Sequence, residues 1–188
     1  MKKNVIVVLL NIVLFQSLYS QNNFKIAGSV SADFNFDGIS DQAIIIHDTT
    51  AIIPIFKVEV ILINQFEERQ KIIENELNFK ELANHKVEIS LEEIGYVDDL
   101  FVFSFKINNK VHSYHFKYTD RDFDMLYFGI YEVFKGKILL TEGDLRKGIL
   151  IFREKDLNTK VWIEKEKKVI FSNIPKLSSF APFENEWF

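Results

Sequence analysis

Phe101-Val-Phe-Ser-Phe-Lys-Ile-Asn-Asn-Lys-Val-His-Ser-Tyr-His-Phe-Lys-Tyr118 decides the fold class of this 188-residue chain. Phe101, Phe103, Phe105 and Ile107 recur at every second position, so in an extended chain they share one face. Asn108-Asn109 supplies a turn, because Asn tolerates the left-handed backbone that tight turns require. Tyr114, Phe116 and Tyr118 share a face on the return. The spacing predicts an antiparallel hairpin with an aromatic inner face, each cross-strand pair contributing about 0.2–1 kcal/mol over alanine. The stripe reads as core rather than as a sugar or base platform, since aromatics dominate core burial.

Working outward, the same period recurs. Val58-Glu-Val-Ile-Leu-Ile63 reads as a strand, Gln65 to Arg69 as a polar turn, and Lys71-Ile-Ile-Glu74 as the return. In Lys86-Val-Glu-Ile-Ser-Leu91, Val87, Ile89 and Leu91 alternate with polar residues. Asp120-Arg-Asp122 makes a charged turn into Met125-Leu-Tyr-Phe-Gly-Ile-Tyr131. Gly148 to Phe152 and Lys160 to Glu164 form a further pair joined by Asp156-Leu-Asn-Thr159. The single helical signal is one turn within Asn78 to His85. Frequent strands with little helix predict an all-β domain: an antiparallel meander, as a curved or propeller-like sheet. The aromatic tail from Pro175 to Phe188 is expected to pack back on the sheet.

The chain opens with Lys2 and Lys3, an apolar run from Val5 to Phe15 broken by Asn11, and Gln16-Ser-Leu-Tyr-Ser20. That order predicts a signal peptide over residues 1–20, cleaved before Gln21, with a single domain over 21–188. The alternative is a retained N-terminal anchor, but the run is short of the roughly 20 apolar residues a span needs. The expected location is periplasmic or secreted. No cysteine is present, so there is no disulfide framework and no thiolate metal site. With Lys2 and Lys3 removed from the 23 basic residues, 21 face 27 acidic ones, a formal charge of −6. That balance speaks against a general nucleic-acid surface; no membrane span is expected in the mature chain.

One stretch carries chemistry: Asp33-Phe-Asn-Phe-Asp-Gly-Ile-Ser-Asp41. Asp33, Asn35 and Asp37 place oxygen donors at alternate positions, Gly38 permits a sharp bend, Ile39 has only its backbone carbonyl to offer, and Asp41 adds a fourth side chain. Calcium takes six to eight such oxygens, and three carboxylates in a small loop repel unless a cation neutralises them. The alternative is a metal-free turn, for which Asp, Asn and Gly are ordinary residues. The first nine positions resemble an EF-hand loop. Position twelve is Ile44, however, not the closing Glu, and strand-like segments flank the loop on both sides.

No catalytic constellation is complete. His112 and His115 point to opposite faces of a strand, and His47 and His85 keep no motif company. No serine sits in G-x-S-x-G. Glu92-Glu93 and Asp98-Asp99 are the carboxylates a glycosidase reading would need.

DFNFDGISDQAII, from residue 33, resembles the calcium-loop segment of bacterial FG-GAP or VCBS-type repeats, which join two strands of a propeller-like sheet. The resemblance implies ligand roles for Asp33, Asn35, Asp37, the Ile39 carbonyl and Asp41. The chain departs from it at Phe36, where the repeat usually has Gly, and holds one clear copy. VHSYHFKY followed by an acidic turn and FDMLYFGIYEVF is similar to small periplasmic VCBS-like proteins, some of which are immunity proteins against peptidoglycan-cleaving effectors. This implies a non-catalytic calcium-binding domain with a protein partner, such as a peptidoglycan hydrolase. The Asp120–Asp124 and Thr141–Arg146 segments are the candidates to enter an enzyme cleft. Two other functions stay open: an envelope carbohydrate- or surface-binding module using Trp162, Trp187 or Phe188, and a hydrolase with an acidic site.

Overall fold

A computed structural model describes residues 24–51, 55–77, 79, 87–171 and 173–182. The signal segment over 1–20 lies outside them, as does the helical turn read within Asn78 to His85, except for Phe79. Eleven strands follow in order: β1 Phe24–Ala32, β2 Asp41–Asp48, β3 Ile55–Ile63, β4 Arg69–Leu77, β5 Ile89–Val97, β6 Leu100–Ile107, β7 Lys110–Thr119, β8 Asp122–Phe134, β9 Lys137–Asp144, β10 Ile149–Asp156 and β11 Trp162–Lys168. They form two antiparallel meanders, a four-stranded sheet β1-β2-β3-β4 and a seven-stranded sheet β11-β10-β9-β8-β7-β6-β5. Neither closes into a barrel. No helix among the described residues is long and apolar enough to cross a membrane.

The aromatic hairpin is β6–β7, with Phe101 opposite Phe116 and Phe103 opposite Tyr114. Its inner face meets the inner face of the smaller sheet in one core, where Ala43, Ile45, Phe56, Val58, Val60 and Ile73 pack with Phe101, Phe103, Phe105, Phe116 and Phe123. Phe56 reaches across to Phe105 at 4.9 Å between ring centroids. Alternation made this legible: β6 and β7 put one side chain in two toward the core. The tail packs back as expected over its described part. Asn75 Nδ2 donates to the Leu177 and Phe180 carbonyls at 2.8 and 2.7 Å, and the Phe180 ring lies 4.8 Å from Tyr114 and 5.2 Å from Phe116.

Two connections differ from the sequence reading. Thr141 to Asp144 is the end of β9, not a loop, and only residues 145–148 turn. Asp122 to Asp124 is already β8, so Asp120-Arg121 is a two-residue turn, with both residues at positive φ (47° and 67°). Glu92 and Glu93 lie within β5. Each of these acidic stretches looks like a loop by composition but is recruited into the ladder by its neighbours. Neither candidate plug is therefore a long protruding loop.

His112 stands opposite Phe105 and Ile130 and is 7% exposed. Burial, with Lys110 nearby, lowers its imidazole from 6.5 to about 4, while Glu132 opposes. The unfolded chain then binds a proton that the folded chain refuses. Stability is complete above pH 6.5 and falls as pH drops from 6.5 toward 4, by up to about 3 kcal/mol from this group. Burial lowers His47 and His115 in the same direction. Urea unfolding across that window is expected to show the loss, and His112→Gln to flatten it; a slope unchanged by the substitution would refute the assignment.

Candidate calcium loop and its acidic end

The Asp33–Ser40 segment joins β1 to β2 and is closed by its own side chains. Asp33 Oδ1 accepts the Asp37 N–H at 3.0 Å and Oδ2 the Gly38 N–H at 2.8 Å. Asn35 Oδ1 accepts the Asp37 N–H at 3.1 Å, and its Nδ2 donates to Asp37 Oδ2 at 2.9 Å. Asp37 Oδ1 accepts the Ile39 N–H at 2.8 Å. The bend uses positive φ at Gly38 (84°) and also at Phe36 (62°). A side chain is disfavoured in that region, where glycine is the usual residue.

Asp41 plays a different part. It is fully buried. Its Oδ2 accepts the Phe34 N–H at 3.0 Å and its Oδ1 the Ile63 N–H at 2.9 Å. One carboxylate thus ties the loop to the start of β2 and the end of β3. Burial raises its carboxyl above the usual range; the Ile63 and Phe34 N–H groups oppose this, and the charge of Asp37 adds to it. Phe34, between two candidate ligands, points inward and is fully buried. Its ring meets Tyr96, Phe101 and Phe123 edge-on at 5.2, 5.9 and 5.6 Å. Tyr96 Oη donates to the Asp33 carbonyl at 3.4 Å. The loop of the smaller sheet is therefore docked on the larger one.

The structure gathers Asp33, Asn35 and Asp37 into one hydrogen-bonded group. It holds Asp41 beside them through backbone contacts and leaves Ile39 half-buried. In type, three carboxylates, an amide oxygen and a backbone carbonyl suit a hard cation. Each carboxylate oxygen that accepts one N–H has a second lone pair to offer. Among the described residues, no three His, Cys, Asp or Glu side chains are gathered closely enough to hold an ion as they stand.

Three further connections lie at the same end. The Asn64–Glu68 turn follows Ile63, which Asp41 holds. The Asp98-Asp99 turn follows β5, whose Tyr96 touches Asp33. The Asp120-Arg121 turn precedes Phe123, which touches Phe34. Burial raises the Tyr96 phenol, and the negative charge of Asp99, Asp33 and Asp41 raises it further. Phe36, Phe66 and Val97 stand out from this end, 56%, 73% and 57% exposed. The sequence reading missed this assembly. Single turns are visible in sequence, but their convergence depends on the strand register and on how the two sheets face.

The remaining candidates are scattered. His112 and His115 do occupy opposite faces of β7, and His47 stacks on Phe56 at 4.6 Å. His85, Trp187 and Phe188 lie outside the described residues. Trp162 is exposed near the edge of the larger sheet, with Lys155 Nζ 5.3 Å from its ring centre. Comparison of the chain with protein-family models, curated proteins and solved structures returns no match.

Proposed function

We propose that the protein is an exported, non-catalytic all-β module whose Asp33–Asp41 loop binds calcium and whose acidic end engages a protein partner. The partner class we favour is a cell-wall hydrolase. The observation that carries the reading is the composition of that end. Asp33, Asp37, Glu67, Glu68, Asp98, Asp99 and Asp120 occupy the four neighbouring connections with one cation, Arg121, among them, around exposed Phe36, Phe66 and Val97. Aromatic anchors with a charged rim suit protein recognition, and an acidic rim favours a cationic face. A cationic face also suits an enzyme that works on an anionic wall polymer.

In this reading Asp33, Asn35, Asp37, the Ile39 carbonyl and Asp41 hold the ion. Calcium neutralises the crowded carboxylates and fixes the loop that presents Phe36. At a dissociation constant of about 10⁻⁴ M and roughly 1 mM calcium, mass action adds about 1.4 kcal/mol to stability. Calorimetric titration of calcium into chelator-treated protein should show one site, lost in Asp37→Ala; an absence of heat removes the cation from the reading. The calcium-loaded protein should slow a peptidoglycan hydrolase at micromolar excess, and Asp98→Lys with Asp99→Lys should relieve that inhibition. Unimpeded activity across a panel of such enzymes would count against the partner class.

A further inference from the structure

The outer face of the seven-stranded sheet has a gap in it. His115 on β7, Tyr127 on β8 and Asp144 on β9 are neighbours in one row; Ser113, Gly129, Glu142 and Ile151 form the next. Gly129 contributes no side chain to its row, and a pocket of about 390 Å³ lies there, walled by His115, Tyr127, Glu142, Asp144 and Ile151. Packing does not account for this glycine. A Cβ built on it meets no atom within 4 Å, whereas one on neighbouring Gly143 would lie 2.1 Å from the Phe128 ring. Gly129 is also absent from the residues with positive φ. Glycine weakens the interior of a strand, and one reason for its presence there is the close approach of a ligand.

The polar groups around the gap are held in place by their neighbours. His115 Nε2 and Ser113 Oγ share a hydrogen bond of 3.0 Å. Arg153 bonds Glu142 and also reaches Glu164 at 2.6 Å. Asp144 Oδ1 accepts the N–H groups of Arg146 and Lys147, each at 3.1 Å, and Lys147 Nζ lies 3.4 Å from its Oδ2. The Arg146 guanidinium covers the Tyr127 ring at 4.8 Å. Both carboxylates in the wall therefore already have cationic partners. A cationic guest would compete with Arg153 and Lys147, and an anionic guest would meet Glu142 and Asp144. What remains is an uncharged guest that donates hydroxyl protons to carboxylate oxygens, bonds an imidazole, and lays C–H surface on Ile151.

We propose that the pocket over Gly129 binds a neutral sugar, with Glu142, Asp144 and His115 as its hydrogen-bonding groups. The site is independent of the calcium loop. The test is a titration of the isotope-labelled full-length protein, followed by amide chemical shifts, with neutral probes: glucose, galactose, mannose, N-acetylglucosamine, cellobiose and chitobiose. At least one is expected to move the His115, Gly129 and Glu142 signals along a saturating curve, with and without a calcium chelator. Gly129→Leu fills the gap and is expected to weaken that binding by about tenfold or more, with His115→Ala weakening it to a lesser degree. Gly129→Ser serves as the smaller variant if the leucine protein does not fold. The proposal fails if no probe moves these signals, if the curve is unchanged in both Gly129 variants, or if arginine amide moves them and the sugars do not.

Discussion

Phe34→Ala is expected to lower the unfolding free energy by about 3–5 kcal/mol, the range for truncating a fully buried aromatic. The side chain belongs to a loop, where truncation would ordinarily cost little, so the size of the effect tests the architecture. Phe34 leaves the β1–β2 connection of one sheet and enters a cluster built by Tyr96, Phe101 and Phe123 of the other. Removing the ring opens a cavity at the junction of the sheets and frees the loop from its anchor. Phe34→Leu should recover much of the loss because it refills part of that volume. Phe36→Ala, two residues on, is the control: Phe36 is exposed, and surface changes stay within about 0.5 kcal/mol. Urea unfolding of the three variants measures the contrast. Equal effects at positions 34 and 36 would mean that the loop is not docked.

The two aromatics show how far sequence reading reaches. Both stand between alternating oxygen donors, and nothing local distinguishes them. Phe34 is buried because β5, β6 and β8 bring Tyr96, Phe101 and Phe123 under it, which depends on contacts about 60 to 90 positions away. The β6–β7 hairpin was legible because its aromatic positions alternate and its turn is two residues long. β9 was missed: Lys137-Ile-Leu-Leu-Thr-Glu-Gly-Asp144 has an unbroken apolar run and then turn-like residues, so it shows no period of two. β11 was legible in part: Lys160 to Glu164 reads as the partner of β10 and pairs with it, although the strand is exposed at every position. The division into sheets of four and seven strands was not legible either, since alternation gives each strand two faces and does not say which sheet it joins. At the loop, the donor oxygens could be read directly. The part Asp41 plays in holding Ile63 could not, because that partner is 22 residues away.

Asp41→Ala is expected to cost about 2–5 kcal/mol without any cation present. The carboxylate accepts the Phe34 and Ile63 N–H groups with different oxygens, the first buried and the second partly so, and a buried donor left without an acceptor costs about 1–3 kcal/mol. Asp41→Asn keeps one oxygen and turns an NH₂ toward the other N–H, so it should lose roughly one bond's worth, about 1–3 kcal/mol. Asp37→Ala removes an exposed side chain whose bonds stay within the loop, and its cost in chelator should be under about 1 kcal/mol. Calcium separates the roles further. If the ion binds as proposed, its stabilising increment vanishes in Asp37→Ala and in Asp41→Ala alike, while only Asp41→Ala is strongly weakened in chelator. Thermal unfolding of each variant with calcium and with chelator reads both quantities. Comparable losses for the two alanine variants in chelator would show that Asp41 is no more than another loop carboxylate. A large loss confined to Asp41 would identify it as the clip joining the loop, β2 and β3, whether or not an ion is bound.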